Sequence, residues 1–197
     1  MKHVKVVALL VAAGVVTLGC GQKPAAVEAA PPPSPIKPIA SILDLMAGQV
    51  DPAADFIWES VATISTPQGM VEHQPRTDEE WLAVRMKALQ LAEAANLLMT
   101  PGRRLAHDGQ RLEDEGTQGN LTAEQAQVAI DAEHDTFIAY AAALRSTAEK
   151  TLAAIDKRDI DAYLEVGGEI DEACEQCHLK FWYPGATPPP TALNLSR

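Results

Sequence analysis

Cys174, Cys177 and His178 lie within the pentapeptide Cys-Glu-Gln-Cys-His, whose residue types and spacing point to a specific chemistry. Two thiols three positions apart can add across the two vinyl groups of a porphyrin, and the imidazole that follows can bind the iron axially. The pattern C-x-x-C-H is the attachment signature of c-type haem. We therefore predict one covalent haem c, attached through Cys174 and Cys177, with His178 as an iron ligand.

Two other uses of this cysteine pair are a thioredoxin-like redox dithiol and a contribution to a zinc site. A redox dithiol usually lies near a βαβ pattern, which the sequence does not show. A structural zinc site needs four ligands, and neither a second cysteine pair nor a nearby histidine pair occurs in the chain. The haem interpretation is therefore favoured over both.

The N-terminus predicts export. A basic start is followed by an apolar run at residues 6–18, which has the length of a signal-peptide core and is shorter than the roughly 20 residues of a transmembrane helix. The run ends at Gly19-Cys20, which looks like a bacterial lipobox. We predict a lipoprotein signal peptide at residues 1–19 and lipidation of Cys20; ordinary signal cleavage and an uncleaved anchor are the alternatives. With the three cysteines used in this way, no disulfide is implied.

Composition divides the rest of the chain into three parts. A Pro/Ala-rich segment at residues 20–38 reads as an extended tether, and residues 184–197 read as a flexible Pro-rich tail. Residues 39–183 remain for one folded domain, which is long enough for a single core. The formal net charge of −11 argues against nucleic-acid binding, because phosphates would be repelled.

The domain reads as all-α, with four segments of helical periodicity and no convincing strand. Thr77 with Glu80 and Thr122 with Gln125 fit capping boxes. In the first segment Asp51-Pro52 predicts a kink, with Asp51 as a possible N-cap. The last segment places Cys174 and Cys177 on its core face. The four segments are residues 39–64, 77–100, 122–155 and 159–181, and the predicted fold is an antiparallel four-helix bundle with haem c on the last helix.

A C-x-x-C-H motif in the last helix of such a bundle, followed by an aromatic residue at Phe181, resembles the cytochrome c-prime family. The resemblance covers roughly residues 39–183, and only the last-helix motif is specific. Members bind one haem, either five-coordinate or with a methionine near the start of the first helix as the sixth ligand. Met46 matches that methionine by position, so the resemblance implies a low-spin, Met-ligated haem; the alternative is that Met46 only fills the core.

Three further expectations concern the surroundings of the haem. Arg103 and Arg104, after the second helix, are candidate partners for a haem propionate or an ordinary solvated pair. His73, His107 and His134 are alternative iron ligands that more often would be surface histidines. Gly167-Gly168 either makes room for the macrocycle or a neighbouring helix, or is a mild packing irregularity.

These features predict a periplasmic electron carrier, lipid-anchored to a bacterial membrane, whose partners are redox proteins of the cell envelope. A homodimer is possible by resemblance to the family. No catalytic residues are predicted, because neither a nucleophile–base pair nor an acid–base dyad stands out, so we do not expect an enzyme. Two alternatives remain: a five-coordinate haem module that binds nitric oxide or carbon monoxide, and a haem-free envelope lipoprotein with a structural or interaction role.

Overall fold

A computed structural model describes residues 36–186 as a mostly helical fold with one small two-stranded antiparallel sheet. Within this range, no helix is both long enough and apolar enough to cross a membrane. The predicted signal peptide, Cys20, most of the tether and most of the tail lie outside the described residues. The elements are α1 (Ile42–Leu45), a π-helical turn (Met46–Val50), α2 (Asp51–Glu59), β1 (Ala62–Thr66), β2 (Gly69–His73), α3 (Asp78–Leu98), α4 (Ala123–Ala132), α5 (His134–Lys157) and α6 (Ile160–Phe181).

Local side-chain chemistry sets the start of several helices. Both predicted capping boxes are confirmed: Thr77 and Glu80 cap α3, and Thr122 and Gln125 cap α4. A third box, which the sequence analysis did not identify, starts α1. There the Asp44 backbone N–H donates to the Ser41 hydroxyl, and the Asp44 carboxylate accepts from the Ser41 backbone N–H. Each box satisfies N–H groups that the first turn of a helix cannot pair by itself.

The first predicted helix is irregular where the kink was expected. A π-helical turn replaces the α-helical one, and the Asp51 backbone N–H bonds to the Met46 carbonyl five residues earlier. Pro52 contributes to this departure, because it has no N–H to continue the ladder. Asp51 itself keeps a helical backbone at φ −58° and ψ −50°, so its predicted role as an N-cap is wrong: an N-cap residue must leave the helical region.

The expectation of a fold without strands is also wrong. The helix that was predicted to reach Ile64 ends at Glu59, and a β-hairpin follows, with Ile64 opposite Val71 and Thr66 opposite Gly69. The β-branched residues of this segment favour an extended chain. Gly69 supplies the positive φ of 124° that the turn into β2 requires.

The third predicted helix is two helices, α4 and α5. The break lies at Glu133, whose φ of −127° and ψ of 44° leave the helical region. Neither proline nor glycine occurs there, so the sequence carries no signal for the break. α5 ends at Lys157, and the next residue, Arg158, adopts the left-handed conformation. Asp159 caps the N-terminus of α6 as predicted, because its carboxylate accepts a hydrogen bond from the Ala162 N–H.

The long helices pack side by side around an apolar core. Arg158 pairs with Asp78 at one end of the α3–α5 contact, and Arg145 bonds to Asn96 towards the other, so these two helices are antiparallel. α5 and α6 are antiparallel as well, because Lys150 pairs with Glu169 while Phe137 packs against Phe181. α2 contacts both α3 and α6. The largest fully buried aliphatic and aromatic side chains are Tyr163, Ile57, Leu91, Ile170, Val50 and Val84.

Candidate functional site

The C-terminal half of α6 carries Cys174, Cys177 and His178, all partly buried. Phe181, one turn further, is 5% exposed and holds this half of the helix in the core. Its ring meets Phe137 edge-on at 5.8 Å and Tyr140 at 6.2 Å between ring centroids. The motif is therefore fixed to α5 by aromatic packing of the kind that adds to simple area burial.

A cavity of about 240 Å³ lies against this part of α6, and both Met46 and His178 line it. A smaller space of about 30 Å³ is also lined by Met46, Cys174, Cys177 and His178. The fold therefore gathers residues that are far apart in sequence around one region. The remaining side chains that line the larger cavity are mostly apolar: Ile42, Leu43, Ala47, Asp51, Leu105, Arg111, Leu112, Glu113, Ile130, Phe137, Cys177, Phe181 and Trp182.

These residues fit a haem by the chemistry of their donor atoms. Two thiols, an imidazole and a thioether lie around a cavity whose walls are mostly apolar. A covalently attached porphyrin with two iron ligands requires this set of groups. A third space of about 190 Å³, lined by Asp51, Cys174, Glu175 and His178 among others, borders the same stretch of α6. The larger cavity alone is smaller than the roughly 300 Å³ at which ligand sites begin, so a haem would extend past it.

Burial controls the protonation of the motif. It raises the pKa of Cys174 to about 12, with further contributions from the negative charges of Asp51, Asp171 and Glu175. Burial also raises the pKa of Cys177 to about 12. Redox-active dithiols have the opposite property, a lowered thiol pKa. These thiols are protonated near neutral pH, which disfavours the thioredoxin-like alternative.

Burial lowers the pKa of His178, against the opposing effect of the Glu175 carboxylate. A neutral imidazole keeps a nitrogen lone pair free for a metal ion. The ring packs edge-on against Trp182 at 5.0 Å and against Tyr183 at 5.9 Å. Tyr183 is in turn held by a 2.6 Å hydrogen bond that its hydroxyl donates to Glu175. Phe181 and Trp182 line the larger cavity, and Tyr183 lies beside the His178 ring.

Met46 is the first residue of the π-helical turn, directly after α1. The carboxylate of Asp44, two residues earlier, accepts hydrogen bonds from the Gln110 side chain and contacts His107 Nε2, each at 2.8 Å. Together with the Ser41 N–H, these partners lower the pKa of Asp44 from 3.8 to about 2. A charged network outside the cavity therefore anchors the short helix that positions Met46.

The segment between α3 and α4 forms one side of the cavity through Leu105 and Leu112. Its start pairs with α1, because the Ile42 N–H donates to the Arg104 carbonyl at 2.9 Å. Further along, the Glu113 carbonyl accepts a hydrogen bond from the Trp182 indole N–H at 3.2 Å. This loop therefore joins α1 to the end of α6.

The predicted arginine pair, Arg103 and Arg104, does not line the larger cavity. Arg103 donates to the carbonyls of Leu97 and Ala40, and Arg104 forms an exposed ion pair with Asp108. Neither lines the cavity, whereas Arg111 does. Sequence analysis missed Arg111, since nothing in its neighbourhood distinguishes it from other loop arginines. The loop's path across the cavity is what brings it there.

The other residues singled out in the sequence lie away from the cavity. His73 contacts the Glu59 carbonyl and His107 contacts Asp44, while His134 is exposed at the start of α5. At Gly167 a Cβ would lie 3.6 Å from the Trp58 ring, an ordinary van der Waals distance, and the Trp58 indole N–H donates to the Gly167 carbonyl. Gly168 has open space around it.

Within residues 36–186, no group of three or more His, Cys, Asp or Glu side chains is close enough together to hold a metal ion. This finding concerns His, Cys, Asp and Glu side chains. The Met46 thioether, backbone atoms and any ligand that a cofactor itself supplies are not among them. Comparison of the chain with protein-family models, with curated proteins and with solved structures finds no match.

Proposed function

We propose that this protein is a c-type cytochrome that carries one covalent haem and transfers electrons. The observation that carries the proposal is the shared cavity: Met46 and His178 both line it, with Cys177 beside them, and Cys174 joins all three around the adjoining smaller space. Cys174 and Cys177 would hold the haem through thioether bonds, and His178 and Met46 would serve as its iron ligands. The haem, when bound, supplies an iron that gains and loses one electron.

The proposed architecture is an antiparallel four-helix bundle of α2, α3, α5 and α6, with haem c on the last helix. The ion pairs between α3 and α5 and between α5 and α6, which join antiparallel helices, support it. α2 contacts both α3 and α6, so each of the four helices contacts two others. Such bundles build their cofactor sites from side chains on facing helices, which is the role proposed for Met46 and the α6 residues.

The protein's own residues control the iron's environment. Leu105, Leu112 and Phe137 keep water from the cavity, which favours the less charged reduced state. A thioether ligand acts in the same direction, because it is soft and raises the reduction potential. Arg111 is the one Arg or Lys among the described residues that line the larger cavity, and its Nε also pairs with Glu115 at 3.0 Å. We assign to it the propionate role expected of Arg103 and Arg104. With His178 and Met46 both bound to the iron, no coordination position would remain for a substrate.

The setting that we propose is the periplasmic side of a bacterial membrane, with a lipid anchor at Cys20 and redox proteins of the envelope as partners. It rests on the sequence pattern of residues 1–20. A membrane-tethered domain would remain close to membrane-bound donors and acceptors, which raises its effective concentration at their surfaces.

The first test is covalent haem content. We expect the purified full chain to show a mass increment of one haem and a pyridine haemochrome spectrum of thioether-linked haem. Replacing both Cys174 and Cys177 with Ala should abolish the covalent increment. The matched control is Cys20→Ser, which should retain haem and lose membrane association. A wild-type chain without the increment would leave the haem-free lipoprotein as the better interpretation.

The second measurement separates electron transfer from gas binding. A six-coordinate Met-ligated iron should give sharp reduced bands and no spectral change on addition of carbon monoxide. A broad high-spin spectrum that shifts with carbon monoxide would contradict the electron-carrier proposal and support the five-coordinate alternative.

A further inference from the structure

β1, the turn after it and the first three residues of β2 lie in the longest stretch of the folded domain's first third that carries no charge. Residues 61–71 contain neither acidic nor basic side chains, although the chain as a whole has a formal net charge of −11. Ile64 is 50% exposed, Met70 67% and Val71 49%. Neutral, apolar and exposed residues therefore coincide on one projecting element.

The hairpin also has a free hydrogen-bonding edge. β1 pairs with β2 alone among the described strands, so one side of β1 presents unpaired backbone groups. Exposed edges are usually protected by charged residues or by proline within the strand, and Ala62–Thr66 contains neither. β2, by contrast, carries Glu72. A two-stranded hairpin is only marginally stable in water, and further strands would stabilise it.

A second copy of this chain is the occupant that these features favour. Most surfaces of an acidic protein repel the same surfaces of its copy, and residues 61–71 are a place where two copies can meet without opposing charges. A two-fold axis requires an edge that is compatible with itself. β1 satisfies this condition, whereas pairing through β2 would bring one Glu72 towards the other.

We propose that β1 pairs antiparallel with β1 of a second copy across a two-fold axis near Ile64, which forms a continuous four-stranded sheet. His73 holds the hairpin to the end of α2 through the Glu59 carbonyl at 2.8 Å, so the strand is presented in a fixed orientation. The contact involves only one five-residue strand from each copy. Such an interface falls below the standard size for stable complexes, so the dimer dissociates on dilution, in the micromolar range or above.

Sedimentation velocity of the full chain in a non-ionic detergent tests the proposal, over about a hundredfold range of protein concentration. The average mass of the wild type should rise from monomer towards dimer. Ile64→Lys places two ammonium groups near each other at the axis and should raise the dissociation constant at least about tenfold. Leu82→Lys, at a 58% exposed leucine on α3, is the matched control and should dimerise like the wild type.

Ser65→Lys is a second edge variant, at a residue opposite the uncharged Met70, that keeps the apolar pair of Ile64 and Val71 intact, so it is used if Ile64→Lys alters the circular dichroism spectrum. It should weaken the dimer in the same direction. A wild-type chain that stays monomeric throughout overturns the proposal and leaves the edge for a strand of another protein. Dimers that tolerate both lysine variants also overturn it, because the interface must then lie elsewhere. Haem content does not enter either readout.

Discussion

The two sides of the cavity are built in different ways. On one side, Cys177 and His178 line the cavity and Cys174 lines the adjoining smaller space; all three lie within one turn and a half of α6, a regular helix fixed by the packing of Phe181. On the other side, Met46 starts a π-helical turn next to a four-residue helix. Its position depends on Ser41, Asp44 and Gln110, whose bonds connect elements far apart in sequence. One side is a local motif, and the other is a tertiary assembly.

This difference implies that the two sides can be disturbed independently. Changes around Met46 should alter the iron's sixth ligand while covalent attachment on α6 survives. The following changes test that independence, and in each of them the haemochrome assay should give the wild-type haem content.

Met46→Ala should have the largest effect. Loss of the thioether converts the ferric and ferrous spectra from low-spin to high-spin and opens the iron to carbon monoxide. Met46 is only partly buried, so we expect stability to fall by about 1–2 kcal/mol, below the 2–5 of a fully buried methionine. Met99→Ala is the control, because Met99 is also partly buried against the core yet lines neither cavity. A low-spin spectrum in Met46→Ala would exclude Met46 as the ligand.

Asp44→Asn should have a smaller and pH-dependent effect. Hydrogen bonds from Ser41 and Gln110 lower the folded-state pKa of Asp44 to about 2, from 3.8. A carboxyl group with a lowered folded-state pKa stabilises the fold above its unfolded-state pKa, and this contribution is lost as pH falls towards the folded-state pKa. The variant should thus be less stable than the wild type at neutral pH, and the gap should narrow between about pH 4 and pH 2.

Thermal unfolding at several pH values measures that gap, with Asp55→Asn as the control on the exposed side of α2. A stability difference between Asp44→Asn and the wild type that stays constant down to pH 2 would mean that the charge of Asp44 does not stabilise α1. The spectrum of Asp44→Asn at neutral pH reports separately whether Met46 still reaches the iron.

Arg111→Gln should have the smallest effect. A cation beside a propionate favours the reduced state, so its removal should lower the midpoint potential. The Arg111 side chain is 70% exposed, and solvent screens its charge, so we expect a shift below the roughly 59 mV that corresponds to a tenfold change for one electron. Arg104→Gln should leave the potential unchanged. Equal shifts in both variants would indicate only a general charge effect.

Features set by neighbouring residues could be predicted from the sequence, whereas features set by tertiary contacts could not. The capping residues Thr77 and Thr122 and the stripe on α6 could be identified from sequence, because they depend on neighbours within a few positions. The break at Glu133 has no local signal, and the hairpin was missed because Ile64 also continues the helical spacing of the first segment. Arg111 could not be chosen over Arg103, since only the path of the loop decides which arginine reaches the cavity.

The π-helical turn after α1 has an evolutionary consequence. It holds one residue more than an α-helical turn would, and Gly48 within it is exposed, with open space where a side chain would lie. Deleting a single residue there would restore regular winding and rotate Met46 by about 100° relative to α2. In the proposed site, the sixth ligand would therefore be gained or lost in descendants of this chain through the insertion or loss of one codon, with no substitution at Met46 itself.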